Sequence, residues 1–203
     1  MAETGNHRRK RPTQERARES RERIVATAAR LFAERGIADT STNRIAAGAN
    51  MSIGTLYRYF TDKHEIVEVL RARLLAELEE RFTAAVLDGM GLSPRDSVAT
   101  SLRAIVAVLA EREPLVRALT ADATVDGAGF GGLERRLLLL TRAYLLQQLG
   151  PLPEHDLDVR AFVMANAGLA AALRIGLKPP PELDRDRLID ETAEMIGGWV
   201  SRS

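Results

Sequence analysis

Six apolar side chains, Ile66, Leu70, Leu74, Leu78, Phe82 and Val86, recur every four residues through a stretch that meets no proline or glycine before Gly89. A period near 3.6 with no breaker specifies one long amphipathic helix. At roughly 20 residues it is too long for an ordinary strand, which runs to about 10. Stripes of the same kind lie on both sides of it. Ile24, Ala28, Leu31 and Phe32 precede it, and Val98, Leu102, Ile105, Val106 and Leu109 follow. The expectation is an all-α chain of about nine helices, in which no flexible linker divides the N-terminal part from the rest.

At 203 residues the chain can bury a substantial core. It has no cysteine, which excludes disulfides and thiolate metal sites and points to a reducing cytoplasm. No long uncharged apolar run is expected to act as a signal peptide or membrane span. The near-neutral total charge conceals an asymmetry: residues 1–63 hold 13 Lys/Arg and 7 Asp/Glu, whereas residues 64–203 hold 16 and 21. A basic N-terminal third suits a nucleic-acid-facing end. Residues 1–18, with Arg8-Arg9-Lys10-Arg11 beside Pro12, read as a flexible basic arm. Such an arm is either a solvated tail or a segment that follows the phosphate backbone or enters the minor groove. A first helix is predicted from about Ser20 to Arg35, stopped by Gly36.

Ser41 to Lys63 then reads as two short helices joined by a tight turn. Ser41 and Ser52 are suited to cap them, each hydroxyl accepting from a free backbone N–H. Ile45, Ala46 and Ala49 form the apolar side of the first, and Leu56 and Phe60 that of the second. Asn50 stands at the reversal, where a residue tolerant of left-handed dihedrals is needed. The outer face of the second helix is left with Ile53, Gly54, Thr55, Tyr57, Arg58 and Tyr59, with Lys63 just beyond. Asn43 and Arg44 lie on the exposed side of the first, after Thr42. In a DNA groove, Arg58 would read guanine and Thr55 a base or thymine methyl. Tyr57, Tyr59 and Lys63 would hold phosphates, and Gly54 would let the backbone approach one. The competing reading is a helical hairpin whose aromatics belong to a core.

Residues 24–63 resemble the DNA-binding domain of the TetR family of bacterial regulators. The resemblance rests on Ile24 through Gly36, Thr40-Ser41, Ile45-Ala46, Gly54-Thr55-Leu56-Tyr57-Arg58-Tyr59-Phe60 and Lys63. Asn50 and Met51 depart from it, standing where Gly and Val are common. It implies a helix-turn-helix domain over residues 19–63 and a ligand-binding and dimerisation domain over 64–203. It also implies a homodimer on double-stranded operator DNA, a small-molecule effector, no cofactor and no membrane.

Beyond the long helix, Ser93-Pro94 opens a helix to about Ala110 and Glu113-Pro114 a short one to about Thr120. A loop covers Ala121 to Gly132. A helix over 133–149 contains Leu137 to Leu140, apolar all round, and is expected to be central. In the helix over 155–176, Val159, Val163, Asn166, Ala170, Leu173 and Leu177 form a heptad-like seam, and Ala161, Ala165, Gly168 and Ala172 a stripe of small residues. A last helix carries Leu188, Thr192, Met195, Ile196 and Trp199. This terminal pair resembles the family's dimer-forming helices, with Val159, Val163, Ala170, Leu173, Leu188, Thr192, Met195, Ile196 and Trp199 as interface candidates. Candidate cavity residues are Leu102, Val106, Leu109, Phe130, Leu137, Leu140, Tyr144, Phe162 and Asn166. They suggest a largely apolar ligand with Tyr144 and Asn166 as polar anchors, although each singly reads as core packing.

Enzyme signatures are weak. Gly127-Ala-Gly-Phe-Gly-Gly132 matches a dinucleotide fingerprint in letters but has no preceding strand. His64-Glu65-Ile-Val-Glu68 lacks the second histidine of a zinc helix, and the three histidines are far apart in sequence, so no metal site is expected. A helical enzyme and an effector-independent architectural DNA-binding protein are the alternatives to a ligand-released repressor.

Overall fold

The computed structural model describes residues 10–121 and 131–201. Among these, nine helices follow one another with no strand: α1 (Lys10–Arg35), α2 (Thr42–Gly48), α3 (Ile53–Tyr57), α4 (Lys63–Gly89), α5 (Pro94–Glu111), α6 (Glu113–Thr120), α7 (Gly131–Leu149), α8 (Glu154–Leu177) and α9 (Arg185–Ser201). The chain forms two compact units, residues 1–72 and 73–203. The boundary falls inside α4, beyond residue 63, and the first turns of α4 bring buried Ile66, Val67 and Leu70 to the N-terminal unit.

Helix α1 begins well before Ser20, which corrects the reading of residues 10–18 as an arm; residues 1–9 lie outside the described residues. The physical reason is local. Gln14 to Arg23 are mostly good helix formers, and Arg18–Glu22 and Glu19–Arg23 place opposite charges four residues apart. Pro12 falls in the first turn, where its missing N–H has no helical partner to lose. Glu15, Arg16, Arg18 and Glu19 are on or near the solvated face of this helix. The other face supplies Ile24, Val25, Ala28, Leu31 and Phe32 to the core, with Ile45, Ala46, Ala49, Leu56 and Phe60.

In the C-terminal unit, α5 packs against α8 and α9, and α8 also meets α7 and α9. Two glycines permit the closest approaches. A Cβ on Gly176 would lie 2.7 Å from Leu109 Cβ, and one on Gly197 would lie 2.6 Å from Arg95 Cα. Across the α5–α9 contact, Arg95 pairs with Glu194 at 3.2 Å and Arg103 with Asp190 at 2.5 Å. These half-exposed pairs add register more than stability.

One expectation fails here. Helix α7 is one-sided: Leu133, Leu137, Thr141, Tyr144 and Leu145 are buried, while Leu139 is 58% exposed and Leu146 also faces out. A run of four leucines has no period, so it hides which side is the core. Helix α8 does have the length and composition of a membrane span, with a mean hydropathy of 1.3 over 18 residues. Its environment accounts for this differently: it packs on α5, α6, α7 and α9, Asp158 pairs with Arg142, and the Arg160 guanidinium lies 5.6 Å from the centre of the Trp199 ring.

Candidate nucleic-acid interface and interior cavity

The helix-turn-helix is built from caps. Ser41 Oγ accepts from Arg44 N at 3.2 Å, and Ser52 Oγ accepts from Thr55 N at 3.1 Å. Helix α2 ends with Asn50 at φ 55°, its N–H on Ala47 O and the Met51 N–H on Ala46 O. That is the Schellman arrangement usually completed by glycine, and Asn50 fulfils it. Leu56 is buried beneath α3, and hydrogen bonds from Tyr59 and Phe60 back to Leu56 carry the helical turn on to Phe60. Ser52, Ile53, Gly54, Tyr57 and Arg58 therefore face solvent, with Thr55 and Tyr59 half-buried.

The polar candidates then separate by what already engages them. Tyr57 and Thr42 share a hydrogen bond at 3.1 Å, bracing α3 against the start of α2. Arg44 Nη1 donates to Asp39 O at 3.1 Å. Lys63 Nζ donates to Ile37 O at 2.5 Å and Ala38 O at 3.5 Å, while Thr40 Oγ1 donates to Gly36 O at 2.8 Å. Four consecutive carbonyls of the turn from α1 to α2 are thus capped by side chains. Lys63 and Arg44, read from the sequence as groups facing DNA, both hold this turn in the chain alone. Asn43 is exposed on α2. The Arg58 side chain makes no ion pair or hydrogen bond among the described residues and projects into solvent. A Cβ on Gly54 would meet only Ser52 Oγ, at 3.9 Å, so folding does not demand glycine there.

Replacing Lys63 with Met tests the first of these assignments. Losing a half-buried charged donor should lower the stability of the N-terminal unit by about 1–2 kcal/mol. The salt dependence of DNA binding should stay the same, whereas a slope shallower by about 0.9 per lysine would make Lys63 a phosphate contact.

The C-terminal unit holds a cavity of about 60 Å³, part of it open to solvent. Its walls are Phe82 and Val86 of α4, Ser97, Val98, Ser101, Leu102 and Ile105 of α5, Leu137, Thr141 and Tyr144 of α7, Met164, Ala165, Gly168 and Leu169 of α8, and Ile196 of α9. Of the sequence candidates, Leu102, Leu137 and Tyr144 line it. Val106 and Leu109 are buried at the approach of α5 to Gly176 instead. Leu140 is half-buried on α7 outside the lining, and Phe130 lies outside the described residues. Phe162 and Asn166 face away, the Asn166 amide donating to Phe162 O at 2.9 Å. Ser97, buried and donating to Gly89 O at 2.7 Å, and Thr141, one turn from Tyr144, were missed. The signal was there: hydroxyls inside otherwise apolar stripes.

The Tyr144 hydroxyl is buried, and its polar neighbour, the Ser97 hydroxyl, lies outside good hydrogen-bond geometry. Burial raises its pKa above the ordinary 10, with the Ser97 hydroxyl acting in the opposite sense. It is a neutral phenol at physiological pH.

Of the interface candidates, Val159, Val163, Ala170 and Met195 are exposed and Leu173, Leu188, Thr192 and Trp199 half-buried. Ile196 differs: it is buried and lines the cavity.

A capped helix-turn-helix followed by a helical unit with a cavity is an arrangement this chain shares with known proteins. Residues 24–70 match the family profile described as "Bacterial regulatory proteins, tetR family". An HTH-type transcriptional regulator of Staphylococcus aureus is 46% identical over 50 residues, 25% of this chain and 27% of that protein. The chain therefore matches about a quarter of that relative's length. A TetR-like regulator from Rhodococcus sp. RHA1 shares the fold with TM-score 0.63 at 23% identity, covering 91% of this chain and 97% of that one. AibR, solved with isovaleryl coenzyme A and operator DNA, is similar with TM-score 0.63 at 21% identity over 87% and 97% of the two chains.

Proposed function

We propose that this protein is a transcriptional repressor that binds a near-palindromic operator as a homodimer and is released by a small, mostly apolar effector. The observation that carries the reading is the solvent-facing side of α3, where Arg58 stands unengaged beside the braced Tyr57 on a capped helix-turn-helix. Two copies would place their α3 helices in successive major grooves, about 34–36 Å apart or a multiple of that. Arg58 is the residue assigned to a base edge. Arg58→Ala should cost about 1–3 kcal/mol of operator binding and relax preference at one position. A uniform loss over all sequences would make it a phosphate contact.

The cavity supports effector control. Phe82 and Val86 line it from α4, a helix without interruption from Lys63 to Gly89. Occupancy would displace α4, and the Lys63 bond to the turn after α1 would carry the change to the DNA-binding unit. Such an effector acts only through its different affinities for the two states, and operator DNA must weaken effector binding by the same factor. An effector-free architectural protein would need no cavity. AibR's isovaleryl coenzyme A is a ligand with charged phosphates. The cavity walls among the described residues carry no cation. The test is selection of bound sequences from random duplex DNA, followed by titration of the enriched site at several salt concentrations. A two-fold symmetric motif with a steep salt slope is expected; weak binding without a motif would overturn the reading.

A further inference from the structure

We propose that the cavity takes a neutral molecule of about the size of a single ring or short branched chain, anchored by one hydrogen-bond acceptor on the Tyr144 hydroxyl. This rests on the effector reading above and adds the ligand's chemistry to it.

The first argument is the orphaned hydroxyl. Tyr144 is 5% exposed and lines the cavity, and its hydroxyl has only the Ser97 hydroxyl as a polar neighbour, outside good hydrogen-bond geometry. Buried polar groups are nearly always paired, and each specific exception calls for an explanation. A ligand acceptor supplies one. The second is polarity. The Ser97 proton is already committed to Gly89 O, so Ser97 has no donor to offer, whereas the Tyr144 phenol, kept neutral by burial, does. The group opposite it must accept. The third is charge. None of the lining residues is acidic, basic or histidine, and an ion taken into such a site without a partner pays heavily in lost hydration. The fourth is size. The freely accessible space of about 60 Å³ is several times what one water requires, about 10–15 Å³, yet small.

Three probes of similar shape separate these points: cyclohexanone carries an acceptor, methylenecyclohexane carries none, and cyclohexanecarboxylate carries a charge. Each is titrated calorimetrically into the full-length protein and into Tyr144→Phe. Cyclohexanone should bind saturably, and its preference over methylenecyclohexane should fall by roughly threefold to tenfold in Tyr144→Phe, the range of one neutral hydrogen bond. Without ligand, Tyr144→Phe should melt at the same temperature or higher, since it removes an unpaired buried group. Clear binding with the same preference in both proteins would overturn the anchor and leave the effector reading standing. So would tighter binding of the carboxylate. No saturable binding of any probe to either protein would overturn the effector reading and this proposal with it.

Discussion

Replacing Phe60 with Ala is expected to destabilise the N-terminal unit by about 3–5 kcal/mol, the range for emptying a buried aromatic site. Phe60 is almost wholly buried, sits one turn beyond Leu56, and has the Arg21 guanidinium 4.9 Å from its ring centre. Helix α3 spans five residues, too few to be stable alone. Its orientation is imposed by the Ser52 cap and by the burial of Leu56 and Phe60. Losing Phe60 therefore releases Tyr57 and Arg58 from fixed positions, and specific DNA binding should disappear with the fold of this unit. Trp199 is the sole tryptophan and lies in the C-terminal unit, so its fluorescence reports on that unit while circular dichroism reports on the whole chain. In urea, Phe60→Ala should give an early loss of part of the helical signal with the Trp199 transition in place. Coincident, unshifted transitions would contradict this account, and Phe60→Leu should recover much of the loss.

The parts of this fold that were legible in the sequence are those fixed by neighbouring residues. Ser41, Ser52 and Ser93 cap helices because a hydroxyl reaches an N–H a few residues on, and Gly36 and Asn50 take up positive φ where helices end. The stripe from Ile66 to Val86 is buried throughout for the same reason, one helix presenting one face. The turn-holding bonds of Lys63 and Arg44 were not legible because their partners are set by the fold. The carbonyl held by Lys63 is 26 positions away, and nothing in a basic residue's own neighbourhood tells a phosphate from a carbonyl.

The cavity was half legible for a related reason. Periodicity identifies the inward side of α5, but Leu102 meets open space while Leu109 meets Gly176, and that depends on where α8 crosses. The seam on α8 shows the converse: its apolar period is real, yet within one chain it covers nothing. Phe162 entered the cavity list by being large and apolar, and it belongs instead with its neighbours on this outer face.

That face gives the other large expected effect. Val159 and Val163 are each 49% exposed, Phe162 55% and Met195 63%, a run of large apolar side chains on the outside of α8 and α9. In a monomer, Val163→Arg would be an ordinary surface change, within about 0.5 kcal/mol of neutral. Across a two-fold interface the same substitution acts twice, burying two unpaired cations that face one another. If α8 forms that interface, sedimentation equilibrium should show the mass of a single chain at concentrations where the unchanged protein sediments as two, with little shift in the unfolding midpoint of the isolated subunit. Operator affinity should fall more than 100-fold, because the second half-site is no longer bound as part of the same event. If Val163→Arg sedimented as the same dimer, α8 would not be the interface, and the symmetry expected of the operator would have to come from another surface. A lone monomer that still bound the full palindrome with unchanged affinity would remove the need for a dimer.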